Sequence, residues 1–202
     1  MDHIIQQLND IESELEENQQ NPVLWMEHGI GKHLLGEYRQ AIESFTRSLE
    51  IDPDSSSCHY NLANSLMEVE QVEKAINHYL QALDLKPDHI PSLNNLADAY
   101  EMAGQAEKAH EIFHYLIHLN PDDPLSHFNL GNFFLRNNQH VEAAKCYEKT
   151  ISMDEQFSDA YYNIAWILKE VNAPEEALSY AKDGLALDPG HEDLKKLIAD
   201  LE

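Results

Sequence analysis

The sequence predicts an all-α fold, a solenoid of stacked antiparallel helix pairs, and three observations predict it. Apolar residues recur at spacings of three and four through most of the chain, the mark of amphipathic helices. The pattern repeats every 34 residues in five copies, 22–55, 56–89, 90–123, 124–157 and 158–191. Small and aromatic residues fall at the same places in each copy, as close packing between two helices requires. A single hairpin cannot bury its own apolar face, so such copies must stack on one another.

Taken in order, residues 1–21 form a capping helix. Ile4, Leu8, Ile11 and Leu15 share one face, in register with the second helix of a repeat, and Glu12, Glu14, Glu16 and Glu17 cover the other. The first helix of each copy carries a small residue at its eighth position: Gly29, Ala63, Ala97, Gly131 and Ala165. One place earlier stand His28, Leu62, Leu96, Leu130 and Ile164; His28 is expected as a hydrogen-bonded core histidine. Turn signals such as Leu35-Gly36-Glu37 and Ala103-Gly104-Gln105 follow.

The second helix carries the unbroken series Ala41, Ala75, Ala109, Ala143 and Ala177. One helical turn later come Phe45, Tyr79, Phe113, Tyr147 and the small exception Ala181. The small residues let the two helices of a pair approach, and the aromatic fills the space beside them. Pro53, Pro87, Pro121 and Pro189 end their helices, because proline lacks an N–H and disfavours helix before it; Glu155 breaks the series. Residues 192–202 read as a further first helix, a C-terminal cap with Ile198 and Ala199 in the core and Lys195 and Lys196 outside. The expected organisation is one domain over 1–202: cap 1–21, repeats 22–191, cap 192–202, with no linker and the aspect of a self-standing module.

This pattern resembles the tetratricopeptide repeat family over residues 22–191. The resemblance implies a right-handed superhelical solenoid whose first helices line a concave groove. It also implies a protein–protein interaction adaptor or scaffold that binds a partner's peptide segment there.

Read with that implication, the sixth position of the copies holds Glu27 and then Asn61, Asn95, Asn129 and Asn163. A carboxamide offers both donor and acceptor, so an asparagine ladder can meet the backbone of an extended peptide. The ladder is similar to that in the repeat region of the O-linked N-acetylglucosamine transferase, whose glycosyltransferase domain has no counterpart here. Beside it lie Tyr60, Asn94, Phe128 and Tyr162, and three places on Asn64, Asp98, Asn132 and Trp166, with Met67, Met102 and Leu135 beyond. These aromatics are either exposed binding elements or half-buried between repeats, and the asparagines either ligand-facing or packing groups. Glu68, Asp98 and Glu101 make the middle of the expected groove acidic, while Arg136 and Lys169 make its far end more basic.

A clamp for acidic chaperone tails, known in this family, requires lysines and arginines at set places. The matching positions hold Met26, Ile30, Asn61, Pro91 and Asn95, or one repeat later Tyr60, Asn64, Asn95, Leu125 and Asn129. The asparagines are present and every cation is missing, so that specificity is not expected.

Charge narrows the partner further. Thirteen basic residues stand against 37 acidic ones, a net charge of −24, which disfavours nucleic acid and anionic lipid and favours a neutral or basic peptide. No apolar run suffices for membrane insertion, and the acidic start MDHIIQQLNDIESELEEN is unlike a signal peptide. Cys58 and Cys146 show no metal or redox spacing, consistent with packing roles and a cytoplasmic setting. His110, His114 and His118 share a helix face at spacings of four, a weak candidate for a metal, with no carboxylate or thiol on that face to complete the set. No phosphate loop, nucleophile elbow or metalloprotease motif occurs, so neither an enzyme nor a cofactor is expected. Two other classes remain open: a self-assembling scaffold, against which the chain would be a monomer or weak homo-oligomer, and a metal-responsive regulator.

Overall fold

The computed structural model describes residues 2–202, and among them the only regular elements are twelve α-helices. These are α1 (Asp2–Glu17), α2 (Pro22–Leu34), α3 (Tyr38–Ile51), α4 (Ser56–Glu68), α5 (Val72–Leu85) and α6 (Ile90–Met102). Then come α7 (Ala106–Leu119), α8 (Pro124–Arg136), α9 (His140–Met153), α10 (Ser158–Glu170), α11 (Pro174–Leu187) and α12 (Glu192–Leu201). The first helices of the pairs (α2, α4, α6, α8, α10) are each 13 residues long and the second helices (α3, α5, α7, α9, α11) each 14. The fold is an all-α helical repeat.

Local chemistry fixes these boundaries. Side chains cap several first helices: Asn21 accepts from the Val23 N–H, Ser55 from Cys58, and Asp123 from Leu125 and Ser126. Proline in the first turn of α2, α6, α8 and α11 occupies a place where the missing N–H costs no hydrogen bond. Every turn between the helices of a pair contains one residue in the left-handed region at the same place in the repeat: Gly36, Glu70, Gly104, Asn138 and Asn172. Glycine takes that conformation freely and asparagine tolerates it, whereas Glu70 holds it against its Cβ.

The chain falls into two compact units, one ending at Ile112 and the other Phe113–Glu202. In the first unit α1 packs on α2, and each of α2 to α5 on the helix that follows it. Its core holds the wholly buried Ala41, Phe45, Cys58, Ala63, Ala75, Leu96 and Ala97, with Tyr79 almost as deep. Phe45 lies so close to Gly29 that a Cβ there would come within 2.6 Å of its ring. The same relation joins Gly131 and Tyr147 in the second unit, at 2.7 Å.

In the second unit α8 packs on α9, α9 on α10, α10 on α11 and α11 on α12. One cluster gathers Ala143, Tyr147, Ala160, Ile164 and Ile167, another Ala165, Ala181, Leu194 and Leu197.

The C-terminal helix corrects one expectation. Leu194 and Leu197 are buried, whereas Ile198 is half-buried and Ala199 exposed. The reason is which neighbours hold α12: it packs on α11 and α10, which precede it, and that contact uses the face of Leu194 and Leu197. The seventh and eighth positions, Ile198 and Ala199, are the ones that meet the second helix of the same pair elsewhere in the chain.

At the other end Leu8 and Leu15 are buried and Ile4 and Ile11 half-buried, with Leu8 against the bare backbone of Gly31. His28 ties this helix down. Its Nδ1 pairs with Ser44 Oγ at 2.7 Å and its Nε2 with Glu12 Oε1 at 3.2 Å, while Lys32 Nζ reaches the same Glu12 oxygen at 3.2 Å. These hydrogen bonds from His28 and Lys32 lower the Glu12 pKa. The core histidine is hydrogen-bonded as the sequence suggests, with a carboxylate from the preceding helix as an added partner.

Candidate functional site

Position six of one copy and position nine of the copy before it, on neighbouring first helices, meet in a hydrogen-bonded triad that occurs twice. In the first unit Tyr79 Oη donates to Asn64 Oδ1 at 2.7 Å, and Asn95 Nδ2 donates to the same oxygen at 2.9 Å. In the second unit Tyr147 Oη donates to Asn132 Oδ1 at 2.8 Å and Asn163 Nδ2 at 3.3 Å. The tyrosine comes from the second helix of the pair, the two asparagines from consecutive first helices. Each central carboxamide oxygen, with two lone pairs, is thereby saturated. Its NH2 group, and the carbonyl oxygen of the outer asparagine, remain for other partners. Burial pushes the Tyr79 and Tyr147 phenols well above the ordinary tyrosine range, so both stay protonated donors at neutral pH.

The expected ladder residues therefore divide. Asn95 and Asn163 bond to Asn64 and Asn132 rather than standing as isolated rungs. Asn61 is half-buried, and its backbone carbonyl accepts from Ser65 Oγ at 3.1 Å. Asn129 is half-buried on α8. Asp98 is exposed and Glu101 half-buried on α6.

None of the four aromatics beside the asparagines stands free in solvent; all are half-buried. Tyr60 sits edge-on to His89 with centroids 5.1 Å apart and touches Tyr79 at 6.2 Å. Phe128 packs on Phe157 at 4.8 Å and on Tyr147 at 5.5 Å. Tyr162 stacks on His191 at 5.6 Å, and Trp166 lies edge-on to His140 at 6.0 Å. Of the two readings open in the sequence, half-burial is the one observed, because each ring finds another ring in the same copy or, for Trp166, in the copy before it.

In the first unit the triad opens into a cavity of about 340 Å³ lined by His33, Asn64, Met67, Glu68, Tyr79, Asn95 and Asp98. Tyr79 is its buried base, while Glu68 and Asp98 are exposed and so stand at its mouth. His33 is fixed through Nδ1 to Ser65 Oγ at 2.8 Å and lies edge-on to Tyr38 at 5.2 Å. The Glu68 charge raises the pKa of the Tyr38 hydroxyl beside it. In the second unit the residues one turn beyond the triad asparagines are Leu135, Arg136 and Trp166.

A larger hollow, about 420 Å³, lies between α1 and α2 and is lined largely by Ile4, Leu8, Ile11, Ile30 and Leu34, with Glu27 at the place the ladder would begin. Sequence reasoning also missed a histidine pair between α4 and α5. His59 and His78 stack with Nδ1 to Nδ1 at 3.0 Å, and His59 Nε2 contacts the Pro53 carbonyl at 3.0 Å. Burial and the neighbouring ring lower the His78 pKa.

On α7, His110 is half-buried and His114 and His118 exposed. Among the described residues, no group of three or more His, Cys, Asp or Glu side chains is gathered as a metal ion requires. Both cysteines are free thiols, and burial raises Cys58 and pushes Cys146 up to about 11, so neither is a ready nucleophile. Among the described residues no helix is long and apolar enough to cross a membrane.

Family models for the tetratricopeptide repeat match residues 32–55, 55–113, 94–155 and 146–179. The chain belongs to the tetratricopeptide repeat family. Tetratricopeptide proteins are in general non-catalytic scaffolds on which protein or peptide partners assemble. A comparison with curated proteins gives no match. Among solved structures, the C-terminal part of a tetratricopeptide protein from Cytophaga hutchinsonii superposes with a TM-score of 0.83 at 15% identity, over 98% of this chain and 80% of that one. PilF of Pseudomonas aeruginosa gives 0.73 at 18% identity, over 98% and 90%. YrrB, described as a tetratricopeptide protein with an unusual peptide-binding site, gives 0.67 at 18%, over 92% and 96%. At such identities the likeness is one of fold.

Proposed function

We propose that this chain is an adaptor that holds peptide segments of partner proteins, each unit against its own first-helix surface, the one bearing Asn64 and Asn95 or the one bearing Asn132 and Asn163. The observation that carries the reading is the triad. Tyrosine fixes the central carboxamide, and with it the direction of the next asparagine, so that donors and acceptors are oriented before any ligand arrives. Preorganisation of this kind lowers the entropy a bound segment must overcome. Each hydrogen bond to the segment would contribute about 0.5–1.5 kcal/mol net, so the groups act collectively.

The partner of such a surface is a chain in extended or helical form whose backbone supplies both a C=O and an N–H. Aromatics spent on packing within the repeat stack would not be its anchors. Tyr60, Phe128, Tyr162 and Trp166 would instead stiffen the helices that present the asparagines.

Affinity capture from lysate with the wild type and with Asn95→Ala/Asn163→Ala tests this. The double variant keeps both Tyr–Asn bonds, and with them the fold. The expected result is loss of the captured partner with an unchanged helical circular-dichroism spectrum. Full retention of the partner by the double variant would move the site off these surfaces.

A further inference from the structure

The hollow between α1 and α2 lies at the place that a first helix occupies in the other copies. In each triad a first-helix residue, Asn64 or Asn132, sits between the tyrosine of its own pair and the sixth residue of the next copy, Asn95 or Asn163. Counted back along the 34-residue period, the residues that flank this place beside α1 and α2 are Ile11 and Glu27, and both line the hollow. The packing agrees with the register. The second helix α3 packs on the first helices α2 and α4, and α5 on α4 and α6, whereas α1 packs on the first helix that follows it, α2.

The flanking residues set the chemistry of what fits. Isoleucine in the place of tyrosine offers no hydroxyl, and glutamate in the place of asparagine offers a charge and no amide donor. The walls are apolar: Ile4, Ile11 and Ile30 are half-buried, Leu8 is buried beneath them, and Leu34 is 63% exposed. The volume of about 420 Å³ takes side chains of a helix lying across the opening, not the helix itself. Glu27 is exposed at the rim, and no lysine, arginine or histidine lines the hollow. Asp10, whose Oδ1 accepts from Gln6 Nε2 at 3.0 Å, adds to the negative field. Charge decides against a second copy as the occupant. Its α12, in the register of a first helix, would bring its ninth residue, Asp200, to Glu27, carboxylate against carboxylate, between chains of net charge −24.

We propose that this hollow docks a basic amphipathic helix of a partner protein, laid against α1 and α2 in the place of a preceding first helix. Aliphatic side chains spaced three and four apart on one face of that helix enter between Ile11 and Leu34. Lysine or arginine beside them reaches Glu27, with its alkyl stem along Ile30. The site is separate from the triad surfaces, and its affinity comes from apolar burial, with the exposed charge giving preference more than strength.

A display library of amphipathic helical peptides, with basic, neutral and acidic polar faces, is selected on the wild-type protein, and the binders are measured by fluorescence anisotropy. The expected binders carry a basic polar face and weaken by roughly tenfold or more on Leu34→Glu, the loss of one buried leucine contact. That variant adds a carboxylate, so mere attraction between a basic peptide and an acidic protein would strengthen instead. Glu27→Gln should lower the preference for basic over neutral helices about two- to fivefold. Asn95→Ala/Asn163→Ala should leave these binders untouched, which keeps the test apart from that of the triad surfaces. Binders indifferent to Leu34→Glu, with its thermal transition intact, would overturn the proposal, as would binders with neutral or acidic faces or none at all. Sedimentation of the protein alone covers the rival: concentration-dependent association abolished by Leu34→Glu would give the place to a second copy and overturn it too.

Discussion

The two triads are built from the same three residue types with nearly the same bonds, yet they sit in different company. In the first unit Tyr79, Asn64 and Asn95 are bordered by Glu68, Asp98 and His33. In the second, Tyr147, Asn132 and Asn163 stand in a stretch whose corresponding places hold Arg136 and Trp166. The outer bond is also longer there, 3.3 Å against 2.9 Å. A shared device with different borders separates two tasks. Hydrogen bonds inside the triad orient the surface, and the residues one turn away give it charge and shape. The bordering residues can then change from repeat to repeat without disturbing the packing beneath.

The largest effect that bears on this comparison comes from deleting the tyrosines. Tyr79→Ala or Tyr147→Ala empties a core site and is expected to cost about 3–5 kcal/mol. Hydrogen exchange should then show protection lost from α4 to α6 in the first variant and from α8 to α10 in the second. Loss spread evenly over both units in either variant would contradict the separate accounts given to them. Next in size is Gly29→Val, which drives a Cβ into the Phe45 ring at 2.6 Å and should cost about 1–3 kcal/mol by urea denaturation.

Removing only the hydroxyls sharpens the comparison. Tyr79→Phe and Tyr147→Phe should each cost about 0.5–1.5 kcal/mol, the net worth of one hydrogen bond. The second is expected to cost more, because the bond left to Asn132 is the longer one. These phenols also give a pH signature. Their pKa values are raised in the fold, so the stability they contribute is complete below the unfolded tyrosine pKa of about 10 and is lost as pH rises beyond it. Alkaline unfolding should shift to higher pH in each Tyr→Phe variant relative to its own stability at pH 7. The smallest effect is a gain. Glu70 holds a positive φ where the second unit uses Asn138 and Asn172, and Glu70→Gly should stabilise by about 0.4–1 kcal/mol in thermal denaturation.

Much of the fold is legible because its determinants are local and repeated. The alanine series, the aromatic four residues on and the turn residues each recur at a fixed place, and one copy's reading is checked by the other four. The triad is visible in the same way once its spacing is known. Position nine is asparagine only in the copies that carry tyrosine at the aromatic place four residues after the alanine, Asn64 with Tyr79 and Asn132 with Tyr147. Where phenylalanine stands, at Phe45 and Phe113, position nine holds Ile30 and Asp98. A hydroxyl appears where a carboxamide can receive it. What hid the relation is distance along the chain, 15 residues in one bond and 31 in the other.

The sequence by itself determined the period, the helix pairs, the positions of close approach and the acidity of the surface, since these follow from residue type at regular spacing. Which side of a half-buried residue meets a neighbour was decided only by tertiary structure. Packing against α11 and α10 put Leu194 and Leu197 into the core instead of Ile198 and Ala199. Tertiary packing elsewhere turned Tyr60, Phe128, Tyr162 and Trp166 onto other rings, brought Glu12 to His28, and joined His59 to His78. The physical reason is common to all of these. Helical periodicity states which face a residue occupies, but a face acquires its burial and its hydrogen bonds from whatever helix is laid against it.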